Sequence, residues 1–472
     1  MNSGDDLGQR LMLTAHPLQR VGAYAVAALA GDFEPEDVPA ADFEQVVKTM
    51  TRDATRAALV RESKSAKGFW LKASFSLTPN SPMNHPSNAR KSDAAVKARV
   101  EEWRNASGNG TSPDADCVLC GRPAVGFFGK VDVPLAESDA YRNSTPRGHA
   151  GMALCRPCVV SFHALPYGSH LTGGASYALH SWDAAFMRRT IQRQVDRNVI
   201  IAETGKVTEG YAQSREVVAL RALRGYSQRI TAGVELLVFN NNNRGQTLEI
   251  HSLTQPLAEW LRRTLLPANK GGFRFLVQAH TTAYSPGIVM LARTAFGEPG
   301  RLLNTAVRHL GRVVSRADYD REQTASASGL LDSFVTEVMQ MNEKDLKEIR
   351  TAAHKVAGLL STEETGGKLN ALRVSMRDPR KMRAWLTRHS LEWTIKPPKG
   401  ADGPLVTERA FVLLFGPGQD NPSWFHRDVF LFGVLEKLSE LGWRSKKAEE
   451  DLEEIEDENP TDAKFINEEE EQ

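Results

Sequence analysis

The run PLQRVGAYAVAALA, residues 17–30, is apolar on nearly every face and predicts a largely buried helix. After the loop GDFEPEDVPAAD, Phe43, Val46, Val47, Met50 and Ala54 recur at three- and four-residue steps and predict a second helix from Phe43 to Arg61. FWLKASFSL then alternates, with Phe69, Leu71, Ala73, Phe75 and Leu77 on one face, as a half-buried strand does. The Pro- and Asn-rich stretch TPNSPMNHPSNARK reads as loop, and a basic helix follows to about Asn105 before the spacer ASGNGTSPDAD. VGFFGKVDVPL predicts a strand and residues 182–200 a basic helix. VELLVF and TLEIHSL around NNNNRGQ predict a β-hairpin, and FRFLVQA a further strand. From Ser328 the pattern turns helical: Leu331, Phe334, Val335 and Val338 share one face, and Leu346, Ile349, Ala353, Val356 and Leu360 another. Helices at Arg380–Leu391 and Asp428–Leu441 complete an expected C-terminal helical bundle. The fold class expected is α+β, with an irregular multi-domain N-terminal part carrying β-hairpins. The divisions are an α+β region over 1–110, a cysteine-bearing module over 111–180, an α+β region with the hairpin over 181–327, the bundle over 328–445 and a tail over 446–472.

The 472 residues exceed what one core supports, in keeping with several domains, and 41% hydrophobic with 25% charged residues describes an ordinary globular chain. The formal net charge of +1 hides an asymmetry. Between Glu449 and Gln472 lie 13 acidic residues and one lysine, which leaves residues 1–448 with 58 basic against 45 acidic side chains. The acidic end reads as a solvated, disordered tail, and the basic body suits a polyanion. RVGAYAVAALAG is short for a membrane span and follows Asp5 and Asp6 instead of a basic segment. No signal peptide or membrane association is therefore expected, and the thiols should be reduced, in a cytoplasmic protein.

All four cysteines fall in two C-x2-C pairs, Cys117 with Cys120 and Cys155 with Cys158. Two residues between thiolates let the chain turn so that both sulfurs reach one ion, and two such knuckles close a tetrahedral four-sulfur structural Zn2+ site. A closed site has no open coordination position, so the metal is expected to fold the module and do no chemistry. His163 and His170, close behind, read as a core histidine and a surface histidine.

The pairs CVLC and CRPC, followed by VVSFHALPYG, resemble the CXXC–CXXC family of CRISPR-associated large subunits from type I-B effector complexes. HPLQRVGAYAVAALAG is similar to that family's N-terminal helix, LTPNSPMNHPS to its Asn- and Pro-rich loop, and VELLVFNNNNRGQTLEI to its hairpin beyond the zinc module. The likeness runs in order over about residues 14–255, and it departs from many relatives at His16 and Gln19. It implies a large subunit at one end of a complex with CRISPR RNA. The partners implied are target double-stranded DNA, the guide-RNA backbone, 5′-handle-binding and small subunits, and a helicase-nuclease or transposition factor recruited after target binding. Such a subunit recognises a short protospacer-adjacent motif on the duplex, helps open the strands and stabilises the displaced one, while guide pairing reads the sequence.

Phosphate contact needs accessible Lys and Arg. Lys64, Lys67 and Lys72 offer them in one stretch, Arg90 and Lys91 in a second, and Arg377, Arg380 and Lys381 in the bundle, where Arg373, Arg383 and Arg388 crowd the same region. Groove reading needs amides or Arg on a projecting loop. Asn80, Asn84 and Asn88 occupy one candidate loop, and Asn241, Asn242, Asn243 and Arg244 another, where asparagine equally suits a plain hairpin turn. The chain lacks a Walker loop, H-E-x-x-H, G-x-S-x-G and the H-x-E of zinc deaminases, so it reads as a non-enzyme. The competing readings are a zinc-containing, nuclease-like DNA-binding enzyme and the equivalent subunit of a transposon-associated guided complex.

Overall fold

The computed structural model describes residues 10–31, 33–60, 76–79, 81–105, 114–136, 151–172, 174–204, 214–242, 245–314, 321–397, 402–416 and 422–446. The fold is α+β, in two compact units: Met1–Ala222 with Tyr226–Ala258, and Leu223–Gly225 with Glu259–Gln472.

In the first unit α1 (Pro17–Ala30) starts where Pro fits the first turn and His16 caps it, the Gln19 N–H donating to His16 Nδ1. Helix α2 (Ala40–Ala58) buries Phe43, Val46, Val47, Met50 and Ala54, the stripe the periodicity marks, and begins one turn before Phe43. Helix α3 (Asp93–Arg104) is capped by Ser92. The two short strands β1 (Gly126–Phe128) and β2 (Met152–Leu154) pair antiparallel, with Phe127 opposite Ala153. Of the long strand expected in VGFFGKVDVPL only three residues pair; the rest turns, with Asp132 and Val133 N–H both donating to Gly129 O. Helix α4 (Arg156–Gly168) follows β2 directly, and LPYG forms its last turn. Then come β3 (Ser176–Ser181), α5 (Ala184–Thr204), α6 (Arg215–Arg224), β4 (Val234–Asn242) and β5 (Gly245–Leu253).

Strands β3, β4 and β5 form an antiparallel sheet in that order. The expected hairpin is its β4–β5 arm, and the ladder runs on through the asparagines: Asn240 opposes Thr247, Asn241 opposes Gln246 and Asn242 opposes Gly245. Ser76 and Leu77, the described end of the FWLKASFSL segment, lie in a turn, and its residues 69–75 lie outside the described ones.

The core of this unit is centred on α1 against α4. Val21, Tyr24 and Phe162 are 2% exposed or less; each such side chain contributes roughly 1.5–3 kcal/mol of burial. The crossing is close enough that a Cβ on Gly22 would stand 1.8 Å from Ser161 O. Beside it Gln19 is fully buried and saturated. Its amide nitrogen donates to Met12 O and Ser161 Oγ, and its oxygen accepts from Thr14 N–H and Oγ. Across the far end of α4, Asn198 of α5 donates to Pro166, Tyr167 and Ser169 carbonyls at 2.7–2.9 Å, capping a terminus that Pro166 weakens.

Helix α7 (Gln255–Arg263) leads into the second unit, where all the named elements among the described residues are helical: α8 (Lys270–Ala279), α9 (Gly287–Gly297), α10 (Arg301–Val313), α11 (Arg321–Ser333), α12 (Glu343–Leu360), α13 (Gly367–Ser375), α14 (Pro379–Ile395), α15 (Glu408–Phe415) and α16 (Ser423–Glu440). A π turn, Phe334–Val338, continues α11. Helical structure thus begins well before Ser328. FRFLVQA, expected as a strand, lies inside α8: a seven-residue apolar run satisfies either period, and burial of Gly272, Phe273, Phe275 and Leu276 is the helical solution. The main packing is α12 on α16; α12 buries Ile349, Ala353, Val356 and Leu360, and α16 buries Val429, Phe432 and Leu435. Arg350 enters this apolar layer paired with Asp332 and Glu436, its guanidinium 5.3 Å from the Phe432 ring centre. Among the described residues no helix is long and apolar enough to cross a membrane.

Candidate metal centre

Cys117 and Cys120 stand on a tight turn that precedes β1. The Cys117 N–H donates to Arg122 O at 2.7 Å, and Gly121 N–H donates back to Cys117 O at 2.8 Å. Gly121 makes this possible at φ 73°, a region in which a Cβ is strained. The turn is fixed to β2 by Val118 N–H to Ala153 O and Val125 N–H to Leu154 O. Cys155, the next residue along, occupies the cap position of α4, and Cys158 sits in its first turn with Pro157 between. A strand end and a helix start thus deliver one pair, and a glycine turn the other.

All four sulfurs lie within 4.8 Å of one another, with Cys120 and Cys155 at 3.5 Å, and no disulfide joins them. Cys117, Cys155 and Cys158 are 3% exposed or less, while Cys120 reaches the surface more. Thiols this close cannot all ionise unaided. Hydrogen bonds from Cys155 and Cys158 pull the Cys117 thiol far down, while hydrogen bonding to Cys117 pushes Cys155 up to about 12 and Cys158 higher still. A shared cation would lower all four thiols together, because each thiolate would then bond to positive charge. The four cysteines can hold a metal ion, and this pocket fits the donor set.

The module is locked into its unit by a residue the sequence reading passed over. Arg156, between the two cysteines of the second pair, makes a two-pronged ion pair with Glu44 of α2 and lies 5.3 Å from the Phe43 ring centre. Neither nearby histidine belongs to the sulfur cluster. His163 is buried beside Trp103, and burial holds it well below the usual imidazole range. His170, expected at the surface, is half-buried and stacked 4.6 Å from Tyr177, and burial takes its pKa down to about 3.

No family model, curated protein or solved structure matches this chain.

The candidate nucleic-acid contacts fall into three groups. Lys64, Lys67, Lys72, Asn80, Asn243 and Arg244 lie outside the described residues. The amides expected to project do not. Asn84 is 7% exposed with its nitrogen on Thr78 O, and Asn88 is 8% exposed with its nitrogen on Pro82 O. Asn241 is fully buried, donating to Leu77 O and Lys130 O and accepting from Gln246. These asparagines brace loops against carbonyls, the other use of a short amide. Asn242 pairs its backbone with Gly245 at the hairpin end. Arg90 is exposed, and Lys91 is half-buried. In the second unit Arg377, Arg380 and Lys381 are exposed around the start of α14, with Arg388 two turns on; Arg380, Lys381 and Arg388 make no ion pair among the described residues. Arg383 instead covers the Phe411 ring at 5.2 Å.

Proposed function

We propose that this chain is the large subunit of a type I-B CRISPR RNA-guided DNA surveillance complex, recognising the protospacer-adjacent motif on duplex DNA, aiding strand opening and stabilising the displaced strand. The observation that carries the reading is the ordered set of stretches resembling that family. Three of them, the N-terminal helix, the two cysteine pairs and the hairpin, belong to a single compact unit, as parts of one recognition module would. The metal in this reading is structural Zn2+, which a four-thiolate set suits and which, so held, has no coordination position left for catalysis. The exposed cations of α14 supply a surface on which a displaced strand's phosphates can run.

The test is affinity purification of the full chain from its own cells, followed by sequencing of co-purifying short RNA. The expected result is a set of RNAs with a constant repeat-derived 5′ handle and variable guides, together with further subunits of a guided complex. Absence of any enriched guide RNA overturns the reading.

A further inference from the structure

Trp182, in the turn between β3 and α5, is 55% exposed yet held on several sides. The Arg20 guanidinium, from α1, lies 4.5 Å from the indole centre, and the His180 ring meets it edge-on at 5.3 Å. His180 is itself fixed by Glu235 at 2.8 Å. The next residue, Asp183, accepts from Phe186 N–H and from the N–H and hydroxyl of Thr231 at 2.8–2.9 Å. An aromatic side chain presented to solvent on so stiff a mounting is prepared for a flat partner.

Arg20 points to the second half of that partner. It is 7% exposed, its Nε lacks a hydrogen-bond partner, and among the described residues no carboxylate pairs with it. The nearby acids are engaged elsewhere: Glu34 with Arg188 at 3.1 Å, Glu235 with His180, and Asp183 with Thr231. A buried guanidinium without a counter-ion calls for an anion from outside the chain. Two exposed arginines that form no ion pair among the described residues stand on the flanking segments: Arg189 on α5, and Arg229 two residues from Thr231.

We propose that Trp182, Arg189 and Arg229 form a site for an unstacked nucleotide of single-stranded nucleic acid, its base on the indole that Arg20 backs with positive charge and its neighbouring phosphates against the two exposed guanidinium groups. Base–aromatic stacking beside cations is the chemistry that holds single strands without reading their sequence. The site deepens the functional reading above, since strand opening yields single strands.

The experiment uses the full chain and three labelled probes, dT20, rU20 and a 20-base-pair duplex, with affinity followed by fluorescence anisotropy. Trp182→Ala should weaken single-strand binding by about tenfold, while Trp182→Phe keeps most of it. Arg189→Ala with Arg229→Ala should lower the salt-dependence slope by about 1.4. A 5-iodouridine strand should photocrosslink to the peptide containing Trp182, and dT20 against rU20 tells which sugar is preferred. Unchanged single-strand affinity in well-folded Trp182→Ala, or a wild type that binds only duplex or none of the three probes, overturns the site. The large-subunit reading is judged separately, by the co-purified RNA.

Discussion

The two units bury their interiors with different materials. In the second, α12 and α16 bury mostly Ile, Val, Leu, Ala and Phe, α12 at helical spacing and α16 in a nearly continuous run, with the Arg350 ion pairs as the polar exception. In the first, the interior around α1, α4 and the β3–β5 sheet is threaded by polar side chains. Gln19 spans from Met12 to Ser161, Asn198 closes the end of α4, and Asn241 ties β4 to Leu77 and Lys130. Next to this lattice sits the four-sulfur cluster. Apolar packing is nondirectional and tolerates adjustment, whereas buried amides and thiolates demand particular partners at particular distances. The first unit should therefore fail abruptly when one partner is lost, and the second should lose stability in proportion to what is removed.

The largest break is expected at Cys158, which is fully buried against the other three sulfurs. Cys158→Ser should abolish binding of the proposed zinc ion, which elemental analysis of the full chain is expected to find at one per chain in the wild type. It should also strip amide-exchange protection from peptides spanning 114–136 and 151–172, because metal binding energy in such modules is folding energy. Chelation of the wild type should reproduce the loss. Helices α12 and α16, buried by apolar side chains, serve as the internal reference. Full protection in the cysteine module after metal removal would sink the claim that the ion holds it together.

Second in size is Gly22→Ala. One methyl group on α1 must enter a space in which its carbon would lie 1.8 Å from a backbone oxygen of α4, so the helices have to separate. The expected cost is about 3–4 kcal/mol, at the upper end of what overpacking exacts. The same change at Gly358 of α12, where a Cβ meets nothing within 4 Å, should be neutral or slightly stabilising through higher helix propensity. Chemical denaturation of the two variants reads the contrast directly; equal midpoints would mean that the α1–α4 crossing is looser than it stands here.

What the sequence made legible follows the same division. The helical stripe of α2, the apolar run of α1 and the periodicity of α12 were readable because each depends only on spacing within its own segment. The cysteine pairs were readable because metal geometry restricts spacing. Where the reading went astray, distant partners decide. FRFLVQA satisfies both periods over seven residues, and only its packing in the second unit selects a helix. Asn84 and Asn241 have the composition of groove readers, yet carbonyls of Thr78, Leu77 and Lys130 hold them inside. Gln19 carries no local mark of its role, since Met12 and Ser161 come to it only through the fold. The site at Trp182 was missed similarly: Arg20 and the indole are far apart in sequence, and the available sign was the lone charge on a helix that is otherwise mostly apolar.

The smallest effect, and the one that sharpens the contrast most, concerns the second unit's own buried charge. Asp428 on α16 accepts from Asn304 Nδ2 at 3.2 Å, and burial pushes its pKa up to about 6, with Arg308 and Arg427 offsetting only part of the shift. Its carboxyl group holds a proton in the folded state at pH values where the unfolded chain, with a pKa near 3.9, has released it. The contribution of Asp428 to stability should thus rise as pH falls from about 6 toward 4, and above pH 6 the ionised side chain works against the fold. Asp428→Asn keeps the shape and the acceptor for Asn304 while deleting the charge. At pH 7 it should stabilise the second unit by about 1–2 kcal/mol, and the gain should shrink to nearly nothing by pH 4. Thermal melts of both proteins across that range measure it. A variant less stable than wild type at pH 7 would show that Asp428 is held ionised by its arginines, a second specific polar arrangement in this unit beside the Arg350 ion pairs.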